Sequence, residues 1–415
     1  MTGRRVAITG LGVVAPLGNS LDGLMTALMA GRSGIRRLEA SLAGGLRSPI
    51  AATVEFAGGD FFAAPRLRML DRVSQFALVA AGAAVAHARL DFAAEERQRC
   101  GVCIGTGMGG AETTEEGYHT LYAERSDRIK PYSVVNAMTN AAASWVGIEY
   151  ELQGANLTYS TACSSSAVAI GEAARRIQGN DADVMIAGGA EAPLVPGVLR
   201  AWDAMRTLAT ADRENPSASC RPFAKDRSGL VLGEGAACVI LEEWEHAHRR
   251  GASVLGELVG YGLTSEVTHI TRPTVEGQAR TMRAALKSAH LHPADIGYIN
   301  AHGTATLQND AVETAAIKAV FGADAYSIPV SSTKSMHGHL LGAAGALEFA
   351  ITVLSLERGT VPPTMHLDLP DPECDLDYVC GAGRSGLRLR AAMSNSFAFG
   401  GTNAVLIVKA AEGTL

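Results

Sequence analysis

The sequence predicts an α/β fold: a mainly parallel sheet, covered by helices and assembled from two similar halves. Three observations carry this reading. Strand-like and helical runs alternate along the 415 residues, the pattern of parallel strands joined by helical crossovers. Glycine reaches 46 residues while aromatics are only 5%, a balance suited to tight backbone packing and sharp turns. Two distant segments also repeat each other's order of elements, which points to internal duplication.

In chain order, a strand at 5–9 precedes a helix at 21–30. A helical run at 71–88 precedes a strand at 101–105, and a helix at 167–179 precedes a strand at 184–188. The hydrophilic stretch 210–219 reads as a surface loop, and no linker separates domains. LVLGEGAACVIL at 230–241 aligns without gaps on FAFGGTNAVLIV at 397–408. Each is an apolar triplet, a glycine turn and a β-rich run, so both read as hairpins. Ser160-Thr161 opens a helix in one half, as Ser332-Thr333 does in the other. Residues 6–12 echo 258–262, a strand followed by Gly-x-Gly. The halves are placed at 1–250 and 251–415. Helices as rich in alanine and glycine as 162–179 and 340–346 belong between sheets, not on the surface.

Composition excludes several functions. With 36 basic and 42 acidic side chains the net charge is −6, which offers no broad basic face to nucleic acid. The longest apolar run, 76–86, is far short of a membrane span, and the N-terminal run breaks too early for a signal peptide. Seven scattered cysteines indicate reduced thiols and a cytoplasmic protein. Cys100 and Cys103 form CxxC, but on a strand they face opposite sides and cannot chelate together. GLGVVA at 10–15 and GTGMGG at 105–110 resemble dinucleotide loops only weakly. Pro16 and Gly18 spoil the helix after the first, and acidic residues follow the second.

Three windows hold candidate chemistry. Cys163 lies in STACSSS at a helix start, where free N–H groups and the dipole lower a thiol pKa and can receive an oxyanion. A small buried cysteine opening a helix is the bland alternative. His302, in INAHGTAT, stands at the C-terminal edge of a strand, where open α/β sheets place ligands; a lone histidine there is more often a satisfied structural group. Lys334, His337 and His339 crowd a third helix start, where the dipole keeps a histidine neutral and able to donate from Nε2. His337 and His339 project differently, so one of them serves chemistry. Zinc is disfavoured: no carboxylate or cysteine falls at usable spacing and Lys334 repels a dication. Asp310 and Glu313 share a helix face and either neutralise Lys334 or face solvent.

Together TACSSS, NAHGTAT, STKSMHGHLLGAAG and NSFAFGGTN, with RPFAKDRSGLVLGEGA at 221–236, resemble the elongating β-ketoacyl-ACP synthases of the thiolase superfamily, including type II polyketide ketosynthases. The resemblance spans nearly the whole chain. It implies the thiolase fold, five layers α-β-α-β-α, and decarboxylative condensation of malonyl-ACP with a cysteine-bound acyl chain. Cys163 is then the nucleophile and His302 and His339 the two catalytic histidines. Lys334 takes the family's lysine position, with Glu313 as its partner and Asp310 nearby. The oxyanion hole falls to the N–H groups of Cys163 and Phe399. Phe399 gates the pocket beside Gly400-Gly401, while Met108 and Trp202 line it. Ala305, His337 and Ala398 depart from the commonest pattern, and 202–206 is closer to the polyketide branch. No metal or organic cofactor is implied, at most a structural monovalent cation. The implied partners are acyl carrier protein and a second chain, either a copy or a chain-length-factor paralogue. A non-catalytic chain-length factor is disfavoured because Cys163 is present. A coenzyme A thiolase would lack STKSMHGH, and a starter-unit synthase would carry asparagine in place of the second histidine.

Overall fold

The computed structural model describes residues 3–411. Its main sheet has ten strands. The first five are β1 (Val6–Val14), β2 (Cys100–Gly105), β3 (Asn156–Tyr159), β4 (Val184–Glu191) and β5 (Gly235–Glu243). The others are β6 (Gly256–Ser265), β7 (Ile296–Asn300), β8 (Val330–Ser331), β9 (Ala391–Phe397) and β10 (Thr402–Lys409). Long helices separate them: α1 (Arg72–Ala88), α2 (Ala141–Glu149) and α3 (Ser165–Gln178), then α4 (Val275–Ala289), α5 (Leu307–Phe321) and α6 (Ala344–Arg358). Both sets therefore run β-α-β-α-β-α-β-β.

The sheet order is β8-β7-β9-β10-β6-β1-β5-β4-β2-β3. Each half thus has the same order: third, second, fourth, fifth, first. Its second, third and fourth strands are parallel, and the fifth runs antiparallel to its neighbours. Within the sheet the halves are joined by the pairing of Ala7 with Glu257 and Ile8 with Gly256. Helices α3 and α6 lie between them and touch strands of both, while α1 and α2 cover one outer face and α4 and α5 the other. These are the five layers α-β-α-β-α. In α6 every residue from Ala344 to Leu356 is buried, as its alanine and glycine content requires.

Three local expectations need correction. Gly10 and Gly12 do not end a strand; β1 runs through both. A Cβ at Gly10 would stand 2.3 Å from the Ala84 carbonyl, and one at Gly12 2.1 Å from that of Ala80. In β6, Gly260 and Gly262 meet the Ala285 and Thr281 carbonyls of α4 in the same way, at 2.8 and 2.3 Å. Gly-x-Gly therefore lets an outer helix lie on the strand, once in each half, and is no nucleotide loop. The 397–408 hairpin forms, but 230–241 does not: β5 pairs with β4 across a long excursion, and 230–233 makes isolated bridges to Leu208, His339 and Ala52. The Asp310 and Glu313 face is fully buried, not solvated. Cys100 and Cys103 do face opposite sides of β2, in different core clusters.

Gly12→Ala is expected to cost about 1–3 kcal/mol through overpacking, read as a lower urea midpoint at unchanged slope. An unchanged midpoint would show that α1 can move away from β1.

Candidate active site

The site is built where loops from both halves converge. Cys163 follows Ala162, whose φ of +51° is strained for a residue with a Cβ. That kink puts Cys163 in a single 3-10 turn (Ala162–Ser164) immediately before α3, close to the helix start expected for it. His302 lies just beyond β7. His339 follows the short helix Lys334–His337 and Gly338, whose φ is +67°. The Cys163 sulfur and a ring nitrogen from each of His302 and His339 all lie within 4.8 Å of one another. The two imidazoles cross nearly at right angles, their centroids 5.4 Å apart. All three residues line one cavity of about 340 Å³.

Beneath them lies a buried charged layer. The Lys334 ammonium reaches the His302 carbonyl at 2.6 Å, His302 Nδ1 at 3.3 Å and Glu348 Oε1 at 2.5 Å. Glu348, and not Glu313, is therefore the partner of Lys334. Glu313 instead accepts the N–H groups of His302 and Gly303, each at 2.8 Å, and the Asn395 amide at 3.1 Å. It holds the His302 loop by its backbone. Asp310 accepts the Phe223 N–H at 2.8 Å and lies 3.9 Å from Arg227, one layer further out. Glu348 stands alone in the apolar run ALEFAITVL; that isolation was the signal for it.

An ammonium can only donate. His302 Nδ1 must accept from Lys334, which leaves its proton on Nε2. Burial first, and then the charge of Lys334, hold His302 and His339 well below the usual histidine range. Both rings are uncharged, as expected from the sequence, but burial and Lys334 do this in place of a helix dipole. Neither nitrogen of His339 has a partner among the described residues, although the residue is buried. His337 is satisfied by Thr333 Oγ1 at 2.9 Å and its Nδ1 by the Gly338 carbonyl at 2.7 Å. It is the structural member of the pair.

The expectation of an ionised Cys163 does not hold at rest. Burial pushes its thiol up to about 12, outweighing the downward pull of Lys334 and of the Phe399 N–H. The pull of the Phe399 N–H on the sulfur marks that backbone as a candidate oxyanion donor. The turn after Phe399 uses Gly400 and Gly401 at φ +84° and +79°. Trp202 stacks on the Phe399 ring at 6.2 Å, and both line the cavity. Met108 does not line it: the residue is 43% exposed, and its N–H is bound to Glu191. The objection that no cysteine could join the histidines at a metal also falls, because Cys163 does. The Lys334 ammonium against His302 still opposes a dication.

A thiol, two neutral imidazoles and a backbone N–H around one cavity are the parts of an acyl-transfer site that also stabilises an enolate. The chain belongs to the β-ketoacyl synthase family: residues 3–247 match the model of its N-terminal domain and 255–368 that of its C-terminal domain. The 3-oxoacyl-[acyl-carrier-protein] synthase 2 of Coxiella burnetii is 43% identical over 98% of this chain and 99% of its own. Nodulation protein E of Rhizobium meliloti is 44% identical over the same shares. A solved type II polyketide synthase acyl-carrier protein in complex with its ketosynthase bound to the hexaketide superposes with a TM-score of 0.92 at 35% identity, covering 99% of this chain and 100% of that one.

Two outcomes follow from these charges. Alkylation of Cys163 by iodoacetamide should rise about tenfold per pH unit from 7 to 10 without a plateau, because the thiolate stays the minor form; a plateau near pH 8 would contradict the buried thiol. Glu348→Gln strands the Lys334 ammonium and should cost about 3–5 kcal/mol in urea unfolding.

Proposed function

We propose that this protein is a ketosynthase, extending an acyl chain held on Cys163 by two carbons from malonyl-ACP with loss of CO₂. The observation that carries the reading is the meeting of one thiol and two uncharged imidazoles within 4.8 Å. In the first half-reaction the Cys163 sulfur attacks the thioester carbonyl of acyl-ACP while an imidazole takes its proton. The N–H groups of Cys163 and Phe399 receive the oxyanion, a contribution of about 10²–10³ in rate per donor. The carbon–sulfur bond to the carrier then breaks, and its thiol leaves with the proton.

In the second half-reaction malonyl-ACP loses CO₂, and the bonding pair moves to the thioester oxygen as an enolate. His302 Nε2–H and the His339 ring donate to that oxygen. The enolate carbon attacks the acyl-Cys163 carbonyl, the sulfur departs and takes up a proton from solvent, and 3-oxoacyl-ACP is released. No step needs a metal or an organic cofactor. Lys334, Glu348, Glu313 and Asp310 act behind the imidazoles.

Acyl carrier protein is the partner this chemistry requires. A second chain is supported by the uncovered edge of β3 and by exposed Tyr118, Tyr122, Tyr132 and Val134. It is a copy of this chain or a chain-length-factor paralogue, and native mass spectrometry distinguishes them. Seven free cysteines and the absence, among the described residues, of a helix long and apolar enough to span a membrane support a cytosolic site of action. The stretch 202–206 and the substituted positions Ala305, His337 and Ala398 favour a specialised acyl chain over ordinary fatty-acid elongation.

Cys163→Ala should form no acyl-enzyme by intact-mass spectrometry while still releasing CO₂ from malonyl-ACP; an acylated variant would move the nucleophile elsewhere. His302→Ala should lose at least about 10²-fold in decarboxylation, so undiminished CO₂ release would remove it from the mechanism. Trp202→Ala should shift products to longer or bulkier chains, and an unchanged profile would take Trp202 out of the acyl pocket.

A further inference from the structure

Glu191, the last residue of β4, is fully buried, and none of the steps above uses it. Its carboxylate accepts four hydrogen bonds. Oε2 takes the N–H of Gly107 at 2.6 Å and that of Gly342 at 2.9 Å. Oε1 takes the N–H of Met108 at 2.9 Å and the Thr106 hydroxyl at 3.2 Å. An ionised carboxylate offers about four lone-pair sites and no donor, so the group is saturated as an anion. Adding a proton, or replacing an oxygen with an amide nitrogen, sets a donor against donors. Burial nevertheless pushes its pKa up to about 7, with the three N–H groups pulling the other way.

The donors come from both halves of the fold. Gly107 and Met108 belong to the loop after β2, and Gly342 lies three residues beyond His339. Glycine is required at the junction: a Cβ on Gly342 would stand 2.4 Å from the Gly107 nitrogen and 2.5 Å from Glu191 Oε2. The GTGMGG loop thus directs to an internal carboxylate the N–H groups that a phosphate would otherwise take. The turn being held cannot hold itself, because Leu341 has φ +46°, a conformation costing about 1–2 kcal/mol outside glycine. Gly105 and Gly189, on either side of the clasp, abut Ser166 in the first turn of α3. The charge of Glu191 is also felt at Cys163, where it raises the thiol.

We propose that Glu191 is a positioning residue for condensation: a carboxylate clasp between the two halves that fixes the His339 turn against the start of the Cys163 helix. It rests on the ketosynthase reading, and the wild-type enzyme in the same assay tests that reading separately. The experiment compares wild type with Glu191→Gln as full-length proteins, counting competent sites by the acyl-enzyme burst. Condensation per titrated site should fall about tenfold or more, with KM for malonyl-ACP within about twofold. An unchanged rate per site, or a loss explained entirely by fewer titratable sites, overturns the proposal. If Glu191→Gln does not fold, Thr106→Val removes one donor and keeps the charge; a drop of about threefold per site is expected, and an unchanged rate counts against the clasp. Wild type that acylates but never condenses would instead refute the ketosynthase reading.

Discussion

The catalytic distance depends on one contact, where the first turns of α3 and α6 press together between the two sheets. The Ala346 N–H donates to Ser166 Oγ at 2.8 Å, and a Cβ on Gly345 would stand 2.9 Å from that of Ala167. Only small residues allow helix axes so close. Cys163 precedes one helix and His339 the other, so that contact sets how far sulfur and imidazole can be apart. Duplication makes this economical. The same element order, used twice, brings two equivalent helix starts face to face, and one carries the Cys163 thiol while the other carries the His339 imidazole.

Charge beneath the site then decides what the imidazoles can do. A buried ion pair such as Lys334–Glu348 adds little stability over an apolar pair of the same volume. Its effect is local. The ammonium touches both the carbonyl and Nδ1 of His302, so it sets the tautomer as well as disfavouring a second positive charge. Glu313 anchors the same loop from the other side through two backbone N–H groups. The ring is thereby oriented by its main chain, its side chain and a cation at once, which is what a donor aimed at a developing enolate needs.

Much of this was legible in the sequence because motifs report local chemistry. Cys163, His302 and His339 each sit in a window whose turn residues and helix start are readable, and the paired Gly-x-Gly strands and the aligned β-runs of 230–241 and 397–408 exposed the duplication. What failed was whatever depends on distance across the fold. The resemblance gave Glu313 as the partner of Lys334; α6 instead delivers Glu348 from fourteen positions beyond that lysine. Met108 was assigned to the pocket by resemblance, yet within this chain it faces outward. Glycines in β1 looked like a turn because their real cause, the carbonyls of α1, lies some seventy residues away.

The most instructive difference concerns the thiol. A helix start argues for a lowered pKa, and burial argues for a raised one; here burial prevails. Thiol and imidazoles are then all neutral at rest, and the Lys334 ammonium beneath them is already matched by Glu348. On the proposed reaction, a malonyl carboxylate entering this cavity passes Arg206 and Arg272 in its lining, but at the two histidines Lys334 is already paired and the groups offered beside the thioester oxygen are ring N–H groups. Charge is better accommodated on that oxygen than on the carboxylate, so loss of CO₂ moves it to where the donors are. A site built to bind the carboxylate tightly would stabilise the ground state and slow the same step.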